Sequence, residues 1–308
     1  MRILIRLIPP FLVRFFARPY VAGDSLAAGL AAASRLWRER GILSTLDLLA
    51  EDIHEEAQAR RNLETYLEMV DAVAAEPGIP EAARPTLSMK ASSYTTHPMH
   101  KGGDARGALE AIERIAERAA EKGVGLTLDM ESHHWTDFTL RALHQLHGKG
   151  HRHVGCVLQA RLHRTEQDLE QIPEGIRVRL VIGIYQEPAA IALTGKREMK
   201  RRMLDHAGRL LRRGHYVEFA THDEGCVREF VDAVAPQAGA DPARFEVQML
   251  YGVPRDKLLA ELLERGIRCR LYVPFALSWG LAVQYLRRRL DEFPAMMWLV
   301  TRNLFRRR

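Results

Sequence analysis

The stretch AAEKGVGLTLDMES (residues 119–132) sets the grammar of the chain. A helix-compatible run ends at Gly123, a short apolar run Val124–Met130 follows, and Asp129 and Glu131 stand at its far end. The same order returns in LLRRGHYVEFATH (residues 210–222) and LLERGIRCRLYVPF (residues 262–275). Runs of this kind occupy 86–92, 124–130, 153–160, 178–184, 216–222, 245–250 and 269–275. Amphipathic segments of roughly 12–20 residues separate most of them, as βα units with a buried parallel sheet require. No Gly-rich dinucleotide fingerprint follows any run, so a (β/α)8 barrel of TIM type is expected rather than a doubly wound sheet. Seven strands are visible. The eighth falls in the long interval 185–214 or in a segment whose pattern does not announce it.

The 308 residues are 47% hydrophobic and 27% charged, enough for a large core, and carry a formal charge of +6. Residues 20–80 read as helical, with Ser44 as a helix cap, until PGIPEAARP (residues 77–85) ends the pattern. The expected organisation is therefore a helical arm over 1–80 and one barrel domain over 81–308. Cys156, Cys226 and Cys269 are far apart and form no CxxC, which predicts reduced thiols in the cytosol. MRILIRLIPPFLVRFFARPY (residues 1–20) is broken by arginines and by Pro9-Pro10, and reads as neither a signal peptide nor a membrane span. It is expected to be a basic amphipathic arm on the body, with a peripheral membrane contact as the sharper reading. The basic run 196–213 lacks interleaved aromatics, which argues against nucleic acid. The 13 histidines form no ligand set with a matching carboxylate cluster, so no metal is expected.

Barrel chemistry collects at the C-terminal ends of the strands. Those ends carry Lys90, Asp129, Glu131, Gln159, Tyr185, Thr221-His222-Asp223, Gln248, Tyr251 and Tyr272. Lys90, Asp129, Gln159 and Gln248 lie inside apolar runs, where an unpaired polar group is costly. Several such residues on separate strands point to a site more than to scattered structural pairs.

These motifs carry a resemblance. GILSTLDLLAE (41–51), LSMK (87–90), LDME (128–131), LQARLHRTEQDL (158–169), RLVIGIYQEP (179–188), GHYVEFATHDE (214–224), FEVQMLYGV (245–253), LYVPF (271–275) and YLRRRLDEFP (285–294) follow one another in order. Together they resemble the proline dehydrogenase family, the monofunctional bacterial kind. The resemblance implies a distorted (β/α)8 barrel with its last helix over the mouth and a non-covalently bound FAD. It implies oxidation of L-proline at C5 to Δ1-pyrroline-5-carboxylate, a quinone as electron acceptor, and pyrroline-5-carboxylate dehydrogenase as the pathway partner. The alternatives are another cyclic amino acid, such as hydroxyproline, or a barrel without catalysis at a membrane.

By the same resemblance, Asp129, Tyr185 and Arg179 would be catalytic, with Arg179 facing the flavin N5 edge. Arg288 and Arg289 would pair with the substrate carboxylate, to which a guanidinium fork is suited, and Lys90 would stand near it. Leu180, Tyr185 and Tyr272 would wall the ring. Met130, Gln159, Pro188, Ala189, Ala190, Thr221 and His222 would hold the FAD, with Gln248 in the same cleft. The sequence departs from the family at Ile182, where lysine is usual, at Arg161, where tyrosine is usual, and at Ala276, where glycine is common.

Overall fold

The computed structural model describes residues 18–50, 53–280 and 282–283. Among the described residues the first helix, Leu26–Arg40 (α1), is capped at Ser25, whose side chain accepts from the Ala28 N–H, and ends at Gly41 with φ +63°. That left-handed conformation is costly with a Cβ and open to glycine. The Gly41 and Ile42 N–H groups close onto the carbonyls of Trp37 and Leu36, and the chain leaves in an extended path.

That extended segment is Leu43–Leu48 (β1), the strand the sequence pattern did not announce. It corrects the reading of residues 20–80 as helical, and the boundary drawn at residue 80 falls after the barrel has begun. Ser44 is a buried strand residue whose carbonyl accepts from Arg270, not a helix cap. The other strands lie where expected: Thr86–Met89 (β2), Leu126–Leu128 (β3), Val154–Gln159 (β4), Arg177–Val181 (β5), Tyr216–Ala220 (β6), Phe245–Leu250 (β7) and Arg268–Phe275 (β8). All pair in parallel in sequence order and close into an eight-stranded barrel. Closure runs through β1 and β8, in register from Leu43↔Arg270 to Leu48↔Phe275. The interval 185–214 holds a loop and a helix instead.

The outer layer contains Glu56–Ala75 (α2), Ala108–Lys122 (α3), His133–Gly148 (α4), Thr165–Gln171 (α5), Lys196–Arg212 (α6), Glu224–Glu229 (α7) and Asp256–Glu264 (α8). Strand residues alternate between this layer and the interior. On β6, Phe219 stacks on Phe230 at 4.1 Å, and Phe230 meets Phe245 of β7 edge-on. Glu218 and Glu246, one residue away, are buried on the interior side. There the two Glu246 oxygens accept from Arg270 Nε at 2.5 Å and Nη2 at 3.1 Å. The three cysteines are free and buried. Among the described residues no helix is long and apolar enough to cross a membrane. The arm up to residue 17 and the helix expected over the mouth, with Arg288 and Arg289, lie outside the described residues.

Candidate active site

Four strands bring their polar residues to one point. Lys90 follows β2, Asp129 follows β3, Arg179 is an inward residue of β5, and Tyr272 lies on β8. Asp129 is the hub. Its Oδ1 accepts from Ser88 Oγ at 2.5 Å and Arg179 Nη1 at 2.9 Å, and its Oδ2 from Tyr272 OH at 2.8 Å. Lys90 Nζ stands 3.5 Å from Oδ2 and donates at 2.6 Å to Asp47 Oδ1 on β1.

Burial alone would raise the Asp129 carboxyl. The Lys90 and Arg179 charges, with hydrogen bonds from Ser88 and Tyr272, outweigh it and hold Asp129 below the ordinary carboxylate range. Burial and then the Asp129 charge push the Tyr272 phenol well above its ordinary value, so it remains a donor. Burial opposes the Lys90 charge, but Asp47, Tyr272 and Asp129 overcome it and keep the ammonium protonated.

Arg179 is 4% exposed and its fork is held on two sides. Nη1 donates to Asp129 and to Ser88 Oγ at 2.8 Å, and Nε donates to Gln248 Oε1 at 2.7 Å. The guanidinium carbon lies 5.1 Å from the Tyr272 ring centroid, within cation–π range. Gln248 Nε2 donates in turn to Glu246 Oε1 at 2.7 Å, which links Arg179 to the buried Arg270–Glu246 pair. Nη2 of Arg179 is buried and has no hydrogen-bond partner among the described residues.

Two more buried polar atoms in that condition lie at neighbouring strand ends, Gln159 Oε1 on the last residue of β4 and His222 Nδ1 after β6. Burial first, then Arg255, lowers the His222 imidazole to about 4, so it is neutral near pH 7. Gly183, after β5, takes φ +102°, and a Cβ there would meet Gln159 Oε1 at 2.6 Å and Arg161 Cδ at 2.8 Å. A flavin ring edge offers both acceptors and an N–H donor. A buried guanidinium N–H, an amide oxygen and a close glycine backbone on adjacent strands fit such a group.

The loop after β5 carries Tyr185 and Pro188–Ala190. Arg161 Nη1 donates to the Tyr185 carbonyl, and Arg161 lies within 3.5 Å of the Gly183 and Leu193 carbonyls. The Glu187 carboxylate accepts from the His133 N–H at 2.9 Å and pairs with His133 Nδ1. Tyr185, Glu187 and Pro188 face Glu131 and Trp135 across a cavity of about 430 Å³.

The structure thus gathers Lys90, Asp129, Arg179, Gln248 and Tyr272, and sets Met130, Gln159, Thr221, His222 and Tyr185 around the same mouth. Pro188, Ala189 and Ala190 are exposed on the loop. Leu180 is placed otherwise: the pleat that turns Arg179 inward turns Leu180 to the opposite face of β5, where it is fully buried in the main core. Sequence reasoning missed Asp47, Ser88, Glu218, Glu246 and Arg270. Glu218 and Glu246 were visible as charges inside the apolar runs YVEFATH and FEVQML. Ser88 shares a strand face with Lys90 at i+2.

A protein-family model described as proline dehydrogenase matches residues 30–188 and 197–298. The proline dehydrogenase of Deinococcus radiodurans is 34% identical over 295 residues, covering 94% of this chain and 90% of that protein. Proline dehydrogenase 1 of Bacillus subtilis strain 168 is 30% identical, with 96% and 92% covered. Among solved structures, proline utilization A from Bdellovibrio bacteriovorus, inactivated by N-propargylglycine, superposes with a TM-score of 0.78 at 20% identity. The match covers 94% of this chain and 34% of that one, so this chain spans about a third of its length. That likeness shows a shared barrel. The family match and the two bacterial relatives go further, and the chain belongs to the proline dehydrogenase family.

Proposed function

We propose that this chain oxidises L-proline to Δ1-pyrroline-5-carboxylate with FAD and passes the electrons to a quinone. The observation that carries the reading is Arg179, whose guanidinium is fixed on two sides while one buried nitrogen lacks a partner among the described residues. A flavin bound against β4–β6 supplies the two-electron acceptor that the side chains themselves lack.

Gln159, Arg179, Thr221 and His222 would hold that group, with Met130, Gln248 and the loop Pro188–Ala190 beside it. Lys90, with Arg288 and Arg289, would fix the substrate carboxylate and so set the ring carbon at a constant distance from the acceptor. Positioning of this kind supplies several kcal/mol of the barrier lowering in favourable cases. Tyr185 and Tyr272 would bound the ring. Asp129 is a poor base for the amine, because its oxygens already accept three hydrogen bonds and its carboxyl is held below the ordinary range, which lowers its proton affinity. Its work is to pin Arg179 and Tyr272. The amine proton leaves to solvent on the way in, which predicts kcat/KM rising with pH toward the substrate amine's own titration.

The visible spectrum tests the reading. Purified protein should show a flavin band that bleaches anaerobically with L-proline and recovers on adding a soluble quinone. A protein that binds no added FAD, or whose band ignores proline, would reject it. A ratio of kcat/KM favouring trans-4-hydroxyproline would move the substrate and keep the chemistry. The product is a cyclic imine in hydrolytic equilibrium with an open-chain aldehyde, so pyrroline-5-carboxylate dehydrogenase is the expected consumer. Because quinones dissolve in lipid, the basic arm is proposed to touch an anionic membrane surface, and co-sedimentation with anionic vesicles measures this.

A further inference from the structure

We infer that Asp47 is a positioning residue for Lys90: its carboxylate fixes where the ammonium points, and thereby sets how tightly the site takes a carboxylate substrate. The inference rests on the proposed placement of Lys90 at the substrate carboxylate.

Asp47 is 0% exposed, so it cannot touch a substrate itself. Its shortest contact with the site is the 2.6 Å hydrogen bond from Lys90 Nζ to Oδ1, and Tyr272 also acts on its carboxylate. Its other oxygen, Oδ2, is buried and has no hydrogen-bond partner among the described residues. Register holds the pair. Asp47 sits opposite Ser88 on β2, and Lys90 follows the end of that same strand.

The second carboxylate near Lys90 does not duplicate this role. Asp129 stands 3.5 Å away, and its oxygens are committed to Ser88, Arg179 and Tyr272. Lys90 therefore lies between a carboxylate that binds it directly and one turned toward the flavin side. The charged and titratable groups acting on it include, among the described residues, Asp47 of β1, Asp129 after β3, Tyr272 of β8 and Tyr66 of α2. Of these, Asp47 makes the largest contribution keeping the buried amine charged, against the burial that would strip its proton. Without Asp47, the buried ammonium would lose its 2.6 Å acceptor and the largest of these charges that keep it protonated.

The test is a split between KM and kcat in the flavin-loaded enzyme. Asp47→Asn keeps the shape and removes the charge. Its KM for L-proline should rise about tenfold while kcat changes less than about threefold, the pattern of lost ground-state binding. The alkaline limb of kcat/KM should move to lower pH, and the bound flavin spectrum should stay as in wild type. An unchanged KM and an unchanged alkaline limb would overturn the inference.

Should Asp47→Asn fail to fold, Lys90→Met and the double variant Asp47→Asn/Lys90→Met decide it. If Asp47 acts only through Lys90, the two share one KM. A double variant with KM more than about threefold above Lys90→Met would show a separate role and overturn the inference. A wild-type protein that binds flavin but ignores L-proline would instead reject the functional reading, and the role of Lys90 with it.

Discussion

Ser88 has one hydroxyl and uses both of its capacities, donating to Asp129 Oδ1 and accepting from Arg179 Nη1. It therefore couples the orientation of the guanidinium to that of the carboxylate. Ser88→Ala leaves the Arg179–Asp129 ion pair but removes this bridge, and buried polar atoms are left short of a partner. The expected loss of stability is about 1–2 kcal/mol, read from urea unfolding, with a fall in kcat of roughly tenfold if Arg179 loses its aim. A variant with unchanged kcat would show that the ion pair alone fixes Arg179. Arg288→Met and Arg289→Met make the complementary prediction for the substrate. Each should raise KM for proline about tenfold or more while flavin stays bound, and an unchanged KM would remove both from the carboxylate site. At this scale the sequence was half legible. Lys90, Asp129, Gln159 and Gln248 stood out as polar residues in apolar runs, whereas their partners depended on pairings between strands up to 143 positions apart in the chain. The Asp47–Lys90 contact comes from the register of β1 against β2, which no local window contains.

Seven strands announced themselves because a Gly-ended helix precedes most of them and the runs between are short. β1 hid for a physical reason. It is six residues long between two helices, and Leu43, Leu46, Leu49 and Ala50 keep a spacing that a helix also satisfies. The signal was nonetheless present, since RERGIL (residues 38–43) repeats the helix–Gly–strand order of LLERGIR (residues 262–268). Helix α6 shows the opposite case, an element read correctly with an unread flaw. Its outer face is laced by Arg202 and Arg209 to Glu166, and by Arg209 and Arg213 to Glu170. On its inner face His206 is 1% exposed, and neither ring nitrogen has a hydrogen-bond partner among the described residues. Burial of those two nitrogens costs stability that an apolar side chain of similar size would not. His206→Leu is expected to stabilise the protein by about 1–2 kcal/mol, seen as a raised Tm with activity retained. A lowered Tm would mean that the imidazole is satisfied after all.

The barrel also carries charges in its interior. Arg179, Arg270, Glu218 and Glu246 fill interior positions that branched apolar residues occupy in most barrels of this type. Sequence patterning could place those residues on strands, but the closed sheet decides that they converge. Such an interior ties stability to protonation, and the histidines extend that link to mild acid. His147, His153, His206, His215 and His222 are all lowered from 6.5, burial being the first cause in each, and His153, His206 and His222 fall to about 4. A histidine lowered by folding takes up its proton first in the unfolded chain. It therefore costs nothing above pH 6.5 and destabilises progressively as pH falls from 6.5 toward 4. Each strongly lowered group contributes on the order of 1–2 kcal/mol across that window. Asp129 and Glu246 are lowered as well, but their effect begins only below their ordinary values of 3.8 and 4.5. Asp47 and Glu131, raised by burial, act in the opposite sense. The wild-type slope alone is therefore a sum, and a comparison isolates the histidine part. Tm measured in steps from pH 7 to 4.5 should fall more steeply for wild type than for His206→Leu. Parallel curves would show that His206 titrates alike in the folded and unfolded chain, and the burial argument for it would fail.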